Sequence, residues 1–262
     1  MVNRRLCVMR HAERMDLTFG NWIATCFENG KYKQQDLNQP EDLPVRETPQ
    51  EYEKDSPLTN VGLFQASLIG KSFKKEGFAF TNVYCSPSLR CVQTAVAVLN
   101  ALGSSATKVN VEPGLFEWLG WYHDCRPQWM SLESLKLNGY NVNLNYKPFI
   151  AKEEMEIRIG ETICGYYERS HNVTLSILNS CTGDVLIVAH AASLDVCTRK
   201  LIGKGVRNEQ DFSRFIVKIA YCSVVVAEND EQEDSNEWKL VEPPITSITQ
   251  SGNQRFDWKM LD

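Results

Sequence analysis

The chain has 262 residues, of which 43% are apolar and 23% are charged, and its formal net charge is −5. A chain of this length buries roughly 70–75% of its unfolded surface, so it folds without needing a disulfide or a structural metal. The acidic balance argues against nucleic acid as a partner, because a general nucleic-acid binder has a dominant positive field.

The first predicted element is a buried strand at residues 6–9, which form a short apolar run. Residues 17–57 follow, with Asn, Gln, Pro and charged residues and little periodicity. We expect this segment to be a long insertion over a functional site, because loops of that length are usually functional or disordered. Trp22, Ile23 and Phe27 are expected to order part of it.

Two helices and a strand come next. Thr59 is expected to cap one helix, and a strand at residues 82–85 precedes a second helix that begins near Ser88. The apolar residues of the two helices recur at helical spacing: Val61, Phe64, Leu68 and Phe73 in the first, and Leu89, Val92, Val96 and Leu99 in the second. That spacing predicts one buried face on each helix.

The alternation continues to the end of the chain. Residues 109–111 are a third predicted strand, and residues 119–150, rich in aromatics and Asn, are expected to be a second insertion over the site. One long helix is predicted over residues 153–180, and residues 185–188 have the clearest strand pattern. The remaining predicted elements are a short helix over 191–202 and two strands over 220–227 and 238–241.

This alternation predicts an α/β fold with a mainly parallel central sheet and helices on both faces. No internal repeat and no linker interrupts the pattern, so we expect a single domain over residues 1–262. In open α/β sheets, ligands bind beyond the carboxyl ends of the strands. Functional residues are therefore expected directly after the predicted strands.

The cysteines and the apolar runs bear on location. Nine cysteines are an odd number without a C-x-x-C pair, and several lie in apolar runs, so we expect reduced, buried thiols in a cytoplasmic protein. No stretch approaches the ~20 apolar residues of a membrane helix, and the N-terminal apolar run is too short for a signal peptide. The sequence therefore predicts no membrane association.

Five side chains with chemistry follow the predicted strands. Arg10 and His11 end the first strand, Arg90 follows the second, Glu117 follows the third, and His190 ends the strongest one. Because the carboxyl ends of parallel strands meet at one edge of a sheet, we expect these side chains to converge. Each of these residues alone is more often structural than functional. The functional interpretation depends on all five occurring together after the predicted strands.

The set fits phosphoryl transfer through a phosphohistidine. A neutral His11 can attack phosphorus, and adjacent arginines lower its pKa by disfavouring imidazolium. The forked donors for the phosphoryl oxygens are Arg10, Arg14 and Arg90. Arg14 shares a face with His11 if a helix begins directly after the histidine. His190 is an additional donor, and Glu117 protonates the leaving oxygen and later activates water if burial raises its pKa.

Other chemistries fit less well. Only four residues separate Cys85 from Arg90, whereas a cysteine-based phosphatase needs five, and no G-x-S-x-G elbow is present. Four scattered histidines without paired spacing argue against a metal site, and no cofactor is expected. His123 and His171 are interpreted as structural residues of a loop and a helix face.

Several segments together resemble the histidine phosphatase (phosphoglycerate-mutase-like) superfamily. The segments that carry the resemblance are 10–16, 57–66, 86–95, 112–118, 190–195 and 238–244. Within the superfamily, the chain resembles the phosphatase domain of the suppressor of T-cell-receptor signalling (Sts) proteins and insect ecdysteroid-phosphate phosphatase. The resemblance extends over about residues 6–258. The motif begins close to Met1, so we expect either an excised domain or a stand-alone enzyme.

The resemblance implies His11 as phosphoacceptor and Glu117 as proton donor. It implies a phosphate pocket of Arg10, Arg14, Arg90 and His190, a metal-free reaction and a homodimer. The implied substrate is a phosphotyrosine protein or, alternatively, a small phosphoester such as a steroid phosphate. A mutase and a non-catalytic phosphate-binding module stay open, the latter because Ala12 stands where the family usually has glycine.

Overall fold

The computed structural model describes residues 4–122, 126–158, 160–229, 237–248 and 258–261. Within them the strands are β1 (Arg4–Arg10), β2 (Phe27–Glu28), β3 (Lys31–Tyr32), β4 (Asn82–Cys85), β5 (Asn110–Val111), β6 (Val185–Ala189), β7 (Val224–Asn229) and β8 (Trp238–Val241). The α-helices are α1 (Met15–Phe19), α2 (Trp22–Cys26), α3 (Asn60–Lys75), α4 (Leu89–Leu102), α5 (Leu132–Leu137), α6 (Lys152–Ile157), α7 (Ile163–Ser180), α8 (Ser193–Val196) and α9 (Glu209–Ile216).

Six strands form the central sheet, in the order β5-β4-β6-β1-β7-β8. The first four run parallel, with Val8 opposite Ile187 and Cys85 opposite Val188. β7 pairs antiparallel with β1, and β8 pairs antiparallel with β7. The prediction of a mainly parallel sheet is therefore confirmed. The parallel strands end at one common edge, and β6, whose five residues are all buried, lies near the middle of the sheet.

Alternating residues of the strands face two separate apolar layers. Cys7 and Met9 pack on the face that α3 and α4 cover, whereas Leu6 and Val8 pack on the face that α7 covers. This period of two is what a strand between two helical layers requires. Helices on both faces of the sheet are thus confirmed, and no linker-like segment separates the two layers within the described residues.

The buried face of α3 agrees with the predicted one only in part, since Phe73 is fully buried. Val61 and Phe64 are 38% and 59% exposed, although both were expected in the core. The helix instead buries Ala66, Ile69 and Gly70, and a β-carbon on Gly70 would lie 2.3 Å from the Val98 carbonyl oxygen of α4. The close approach of α3 and α4 at Gly70 selects this face, and a glycine at the contact is not marked by a hydrophobic pattern.

The predicted helix over 153–180 is also wrong as one element. It is interrupted between α6 and α7, where Gly160 has a φ of +67° and Thr162 caps α7 by accepting a hydrogen bond from the Gly165 amide at 3.0 Å. A residue in the left-handed region ends a helix, and glycine adopts it without strain. The predicted helix over 191–202 is likewise shorter, since regular helix covers only α8.

The first insertion is ordered by packing and by a buried ion pair. Trp22, Phe27 and Tyr52 pack their rings together at 5.7–6.1 Å. The Arg46 guanidinium donates to the Asp55 carboxylate, whose other oxygen accepts from the Leu89 amide at 2.7 Å. These contacts join residues 17–57 to the first turn of α4. We propose that residues 1–262 form a single domain and that both insertions, at about 17–57 and 119–150, lie over the site.

The cysteines agree in part with the expectation of buried thiols. Six are buried, whereas Cys164 is exposed and Cys181 is partly exposed, because these two lie at the outer surface and the end of α7. All eight described cysteines are free, and Cys125 lies outside the described residues. Among the residues described, no helix combines the length and the apolar composition needed to cross a bilayer.

Candidate active site

The ends of β1 and β6 bring two histidines together. The His11 amide donates to the Ala189 carbonyl at 2.9 Å, which fixes the residue after β1 beside the residue before His190. The two imidazole rings meet edge to face with centroids 5.6 Å apart. Two histidines that are distant in sequence therefore share one buried pocket at the carboxyl edge of the sheet, as predicted from the strand ends.

His11 is almost fully buried, with 2% of its surface exposed. Its Nδ1 lies 2.8 Å from the Ala12 carbonyl oxygen, which can only accept a hydrogen bond. The proton therefore sits on Nδ1, and Nε2 keeps its lone pair. Burial, followed by the charges of Arg90 and Arg10, holds the pKa of His11 well below 6.5. His11 is neutral at pH 7, as a nitrogen nucleophile must be.

Arg90 approaches the same pocket from the first turn of α4. Its side chain is fully buried, and its Nη2 donates to Glu117 Oε1 at 2.6 Å. Within the described part of the chain, Nε and Nη1 have no acceptor. Buried guanidinium donors without a partner are costly, so a site that leaves two of them open is built to receive an acceptor.

The other two arginines are anchored differently. Arg10 stacks over the Tyr221 ring at 4.3 Å and donates to the Ile219 carbonyl. Arg14 donates to Asp16, with Nε 2.6 Å from Oδ1. The backbone at Arg14 is extended and α1 begins only after it, so the condition for Arg14 to share a helix face with His11 is not met. The charge of Arg14 nevertheless reaches the site.

The carboxylate of Glu117 accepts two hydrogen bonds on one oxygen. Oε1 accepts from Arg90 at 2.6 Å and from the Tyr122 hydroxyl at 2.5 Å, whereas Oε2 lies 3.6 Å from His190 Nδ1. Burial raises the pKa of Glu117, but His190, Arg90, Arg14 and Tyr122 together lower it to about 2. The condition that burial raises this pKa is therefore not met, because the arginine charges and the donated hydrogen bonds favour the carboxylate more than desolvation disfavours it.

His190 is held at both ring nitrogens. Ser86 Oγ lies 2.8 Å from Nε2, and Arg90 Nη2 lies 3.3 Å from Nδ1. Burial lowers the pKa of His190 to about 3, against the opposing effect of Glu117. The second histidine is thus also neutral at pH 7. His11, Arg90, Glu117 and His190 are linked by direct contacts, whereas Arg10 and Arg14 act on the two histidines through their charges.

Sequence reasoning missed the residues that hold the Glu117 segment. Arg169 donates to the carbonyls of Gly114 and Phe116 at 2.7 and 2.8 Å and to that of Glu117 at 3.2 Å. It also makes a two-point ion pair with Glu161 at 2.7 and 2.9 Å. Neither residue belongs to a recognisable pattern. The one signal was Gly160, which has positive φ and directly precedes Glu161 in the segment between α6 and α7.

A second carboxylate fixes the start of the same segment. Glu112 accepts from the amides of Gly114, Phe149 and Ile150 at 2.7–3.2 Å and from the Tyr146 hydroxyl at 2.7 Å. Burial raises the pKa of Glu112, while these four donors oppose that effect. Glu112 joins the loop after β5 to the end of the second insertion.

Ala12 fits without backbone strain. Among the described non-glycine residues, positive φ occurs at Asn29 and Cys222 and not at Ala12. The Ala12 amide donates to Thr94 Oγ1 at 3.1 Å, and its methyl group is buried. A glycine is therefore not required at this position for conformational reasons.

The remaining histidines lie apart from the pocket, as far as they are described. His171 is half-buried on α7, and His123 lies outside the described residues. In the described residues, no group of three or more His, Cys, Asp or Glu side chains is arranged to hold a metal ion.

Comparisons with known proteins identify relatives over nearly the whole chain. The profile of the Histidine phosphatase superfamily (branch 1) matches residues 43–241. Ecdysteroid-phosphate phosphatase of Drosophila melanogaster is 43% identical over 262 residues, covering 99% of this chain and 34% of that protein. Ubiquitin-associated and SH3 domain-containing protein B of Mus musculus is 39% identical over 264 residues, covering 98% of this chain and 41% of that protein.

A solved structure matches at full coverage. The ecdysone phosphate phosphatase of Bombyx mori, crystallised in complex with tungstate, superposes with a TM-score of 0.84 at 33% identity and covers 99% of this chain and 100% of that chain. In contrast, the chain spans well under half the length of the two curated relatives.

Proposed function

Because the chain belongs to the histidine phosphatase superfamily and has its phosphoglycerate-mutase-like fold, we propose that it is a metal-independent phosphomonoesterase acting through a phosphohistidine. One observation carries the proposal. A neutral His11, with its proton directed to a backbone carbonyl, stands beside a buried Arg90 that has two donors without an acceptor. A nucleophile and a receptor for phosphoryl oxygens are thus in one pocket.

In the first step, His11 Nε2 attacks the phosphorus of the ester. The N–P bond forms as the bond from phosphorus to the leaving oxygen breaks, and Glu117 gives its proton to that oxygen. Arg10, Arg14 and Arg90 bind the non-bridging oxygens, with His190 as an additional donor. The products of this step are the free alcohol or phenol, phosphorylated His11 and ionised Glu117.

In the second step, water attacks the phosphorus of phosphohistidine. Glu117 accepts a proton from the water as the O–P bond forms, and the N–P bond breaks to release inorganic phosphate and neutral His11. The carboxyl is then protonated again, so the cycle is closed. Apart from the phosphoester and water, both steps balance with groups of this chain.

Glu117 must be protonated to act as the acid, although its pKa is near 2 in the unliganded protein. A bound phosphoryl group brings up to two negative charges among the three arginines. This charge offsets part of their effect and raises the pKa of Glu117 in the complex. Protonated Glu117 is still favoured by low pH, so the proposal includes an acidic optimum.

The substrate is proposed as a phosphotyrosine protein, in line with the resemblance to the Sts phosphatase domains. The alternative, an ecdysteroid phosphate, is favoured by the name of the Drosophila melanogaster relative and by its 43% identity. Comparing kcat/KM for a phosphotyrosine peptide with that for a steroid phosphate separates the two. A homodimer and a cytoplasmic location are part of the same proposal.

The proposal is tested by hydrolysis of p-nitrophenyl phosphate with and without EDTA. We expect turnover that EDTA leaves unchanged and that is faster near pH 5 than near pH 8, since the lowered pKa of His11 keeps the nucleophile neutral even in acid. Activity that requires added metal contradicts metal independence. Folded protein that binds phosphate without turnover indicates a binding module, and dependence on a bisphosphate primer indicates a mutase.

A further inference from the structure

Tyr122 contacts the proposed proton donor from outside the arginine pocket. Its hydroxyl donates to Glu117 Oε1 at 2.5 Å. The Tyr122 ring packs against Phe116 with centroids 5.1 Å apart, and Arg126 Nη1 donates to the Tyr122 carbonyl at 3.1 Å. The hydroxyl is therefore presented by a side chain that is fixed at its ring and at its backbone.

The two oxygens of Glu117 have different surroundings. Oε1 accepts from both Tyr122 and Arg90, which fills its two lone-pair directions. Oε2 faces His190 Nδ1 at 3.6 Å, which is too long for a hydrogen bond. The carboxylate is thus held by one oxygen, and its other oxygen is turned toward His190.

We propose that Tyr122 is a positioning residue for the phosphatase reaction, because its hydroxyl and Arg90 together hold Oε1 of Glu117 so that Oε2 carries the proton to the leaving oxygen and takes it back from water. This inference rests on the proposed function. It assigns no contact between Tyr122 and the phosphoryl group. It adds a residue of the second insertion to the machinery that the arginines and histidines form.

The charged and titratable groups around this carboxylate come from several elements. Arg90 of α4, His190 after β6 and Arg14 before α1 all act on Glu117, together with Tyr122. Arg90 and Arg14 also act on Tyr122, and the pKa of the Tyr122 hydroxyl is raised by burial and by Glu117, so the hydroxyl stays protonated and donates. Tyr122 can be altered without removing a charge, because replacement by phenylalanine removes only its neutral hydroxyl.

Removing the Tyr122 hydroxyl is expected to raise the pKa of Glu117. A hydrogen bond to the ionised carboxylate favours that form, so its loss raises the pKa of Glu117. The acid form then persists to higher pH. In a Tyr122→Phe variant, the basic limb of the kcat profile is expected to move upward by about one pH unit. KM is expected to stay within about twofold, because Tyr122 does not hold the phosphoryl oxygens.

The experiment compares Tyr122→Phe with a matched control, Tyr146→Phe. The Tyr146 hydroxyl also donates to a buried carboxylate, Glu112, at 2.7 Å, but that carboxylate binds backbone amides outside the pocket. Both variants lose one tyrosine–glutamate hydrogen bond, and thermal melts establish that both are folded. The kcat profiles for p-nitrophenyl phosphate and carbon-13 titration of the Glu117 carboxyl in the substrate-free protein are then measured.

The expected result is an upward shift of both the basic limb and the Glu117 titration in Tyr122→Phe, with neither shift in Tyr146→Phe. If the basic limb of the kcat profile and the Glu117 titration of Tyr122→Phe coincide with those of the parent protein, the proposed role of Tyr122 is overturned. The phosphatase proposal still stands in that case. If the parent protein has no turnover, the phosphatase proposal fails instead. The carboxyl titration then decides whether Tyr122 controls Glu117.

Discussion

Replacing His11 with alanine is expected to abolish phosphoester hydrolysis, with a loss in kcat of at least about 10³-fold. The side chain supplies the Nε2 lone pair that forms the bond to phosphorus, since its proton is held on Nδ1 by the Ala12 carbonyl. The measurement is steady-state turnover of p-nitrophenyl phosphate near pH 5, with circular dichroism to show that the variant is folded.

His171→Ala is the matched control for this prediction. His171 is half-buried on α7 and has no place in the pocket, so its replacement is expected to change kcat by less than about twofold. A His11→Ala protein that keeps a tenth or more of the parent activity contradicts the role of His11 as nucleophile. Equal losses in the two variants would indicate a general effect on folding.

Replacing Arg169 with alanine is expected to lower the free energy of unfolding by about 3–5 kcal/mol. The change leaves Glu161, whose side chain is 4% exposed, without its ion-pair partner, and it removes the donors of three backbone carbonyls. A buried charge without its partner costs more than the lost packing alone. Urea denaturation of the parent and the variant gives the difference.

Arg214→Ala is the control, since Arg214 is exposed on α9 and is expected to change stability by no more than about 0.5 kcal/mol. Adding Glu161→Gln to Arg169→Ala removes the stranded charge, so the double variant is expected to recover part of the loss. A loss of unfolding free energy below about 1 kcal/mol in Arg169→Ala contradicts this prediction. It shows that the contacts of Arg169 with Glu161 and with the Glu117 segment are not a main source of stability.

The placement of the site could be predicted because it depends on strand ends. Short apolar runs mark β1, β4 and β6, and parallel pairing brings their carboxyl ends to one edge. His11 and His190 therefore meet as expected, although 178 residues of sequence lie between them. The order of elements along the chain was sufficient for this inference, since neither histidine depends on the details of the loops.

The electrostatics of the site could not be predicted from the same information. The pKa of Glu117 depends on how many donors converge on one oxygen, and the sequence does not show that Arg90 and Tyr122 share Oε1. Burial alone predicts a raised pKa, and the structure has a lowered one. The sign changes because of contacts between residues that are distant in sequence.

The prediction of one helix boundary was wrong, and that of one buried helix face was wrong in part, for a related reason. The pattern over 153–180 is helical on average, but Gly160 adopts positive φ and separates α6 from α7. On α3, the close contact with α4 at Gly70 turns Val61 and Phe64 toward solvent, while Ile69 and Phe73 are buried. Tertiary packing overrides local pattern at both places.

The most direct test of the account is to trap the covalent intermediate. The parent protein is mixed with an aryl phosphate, quenched by denaturation within milliseconds, and digested for mass spectrometry under alkaline conditions that preserve phosphohistidine. The account predicts phosphate on His11 and none on that peptide in His11→Ala. Phosphate on a different residue, or rapid turnover with no phosphorylated protein at any time, would contradict a phosphohistidine mechanism.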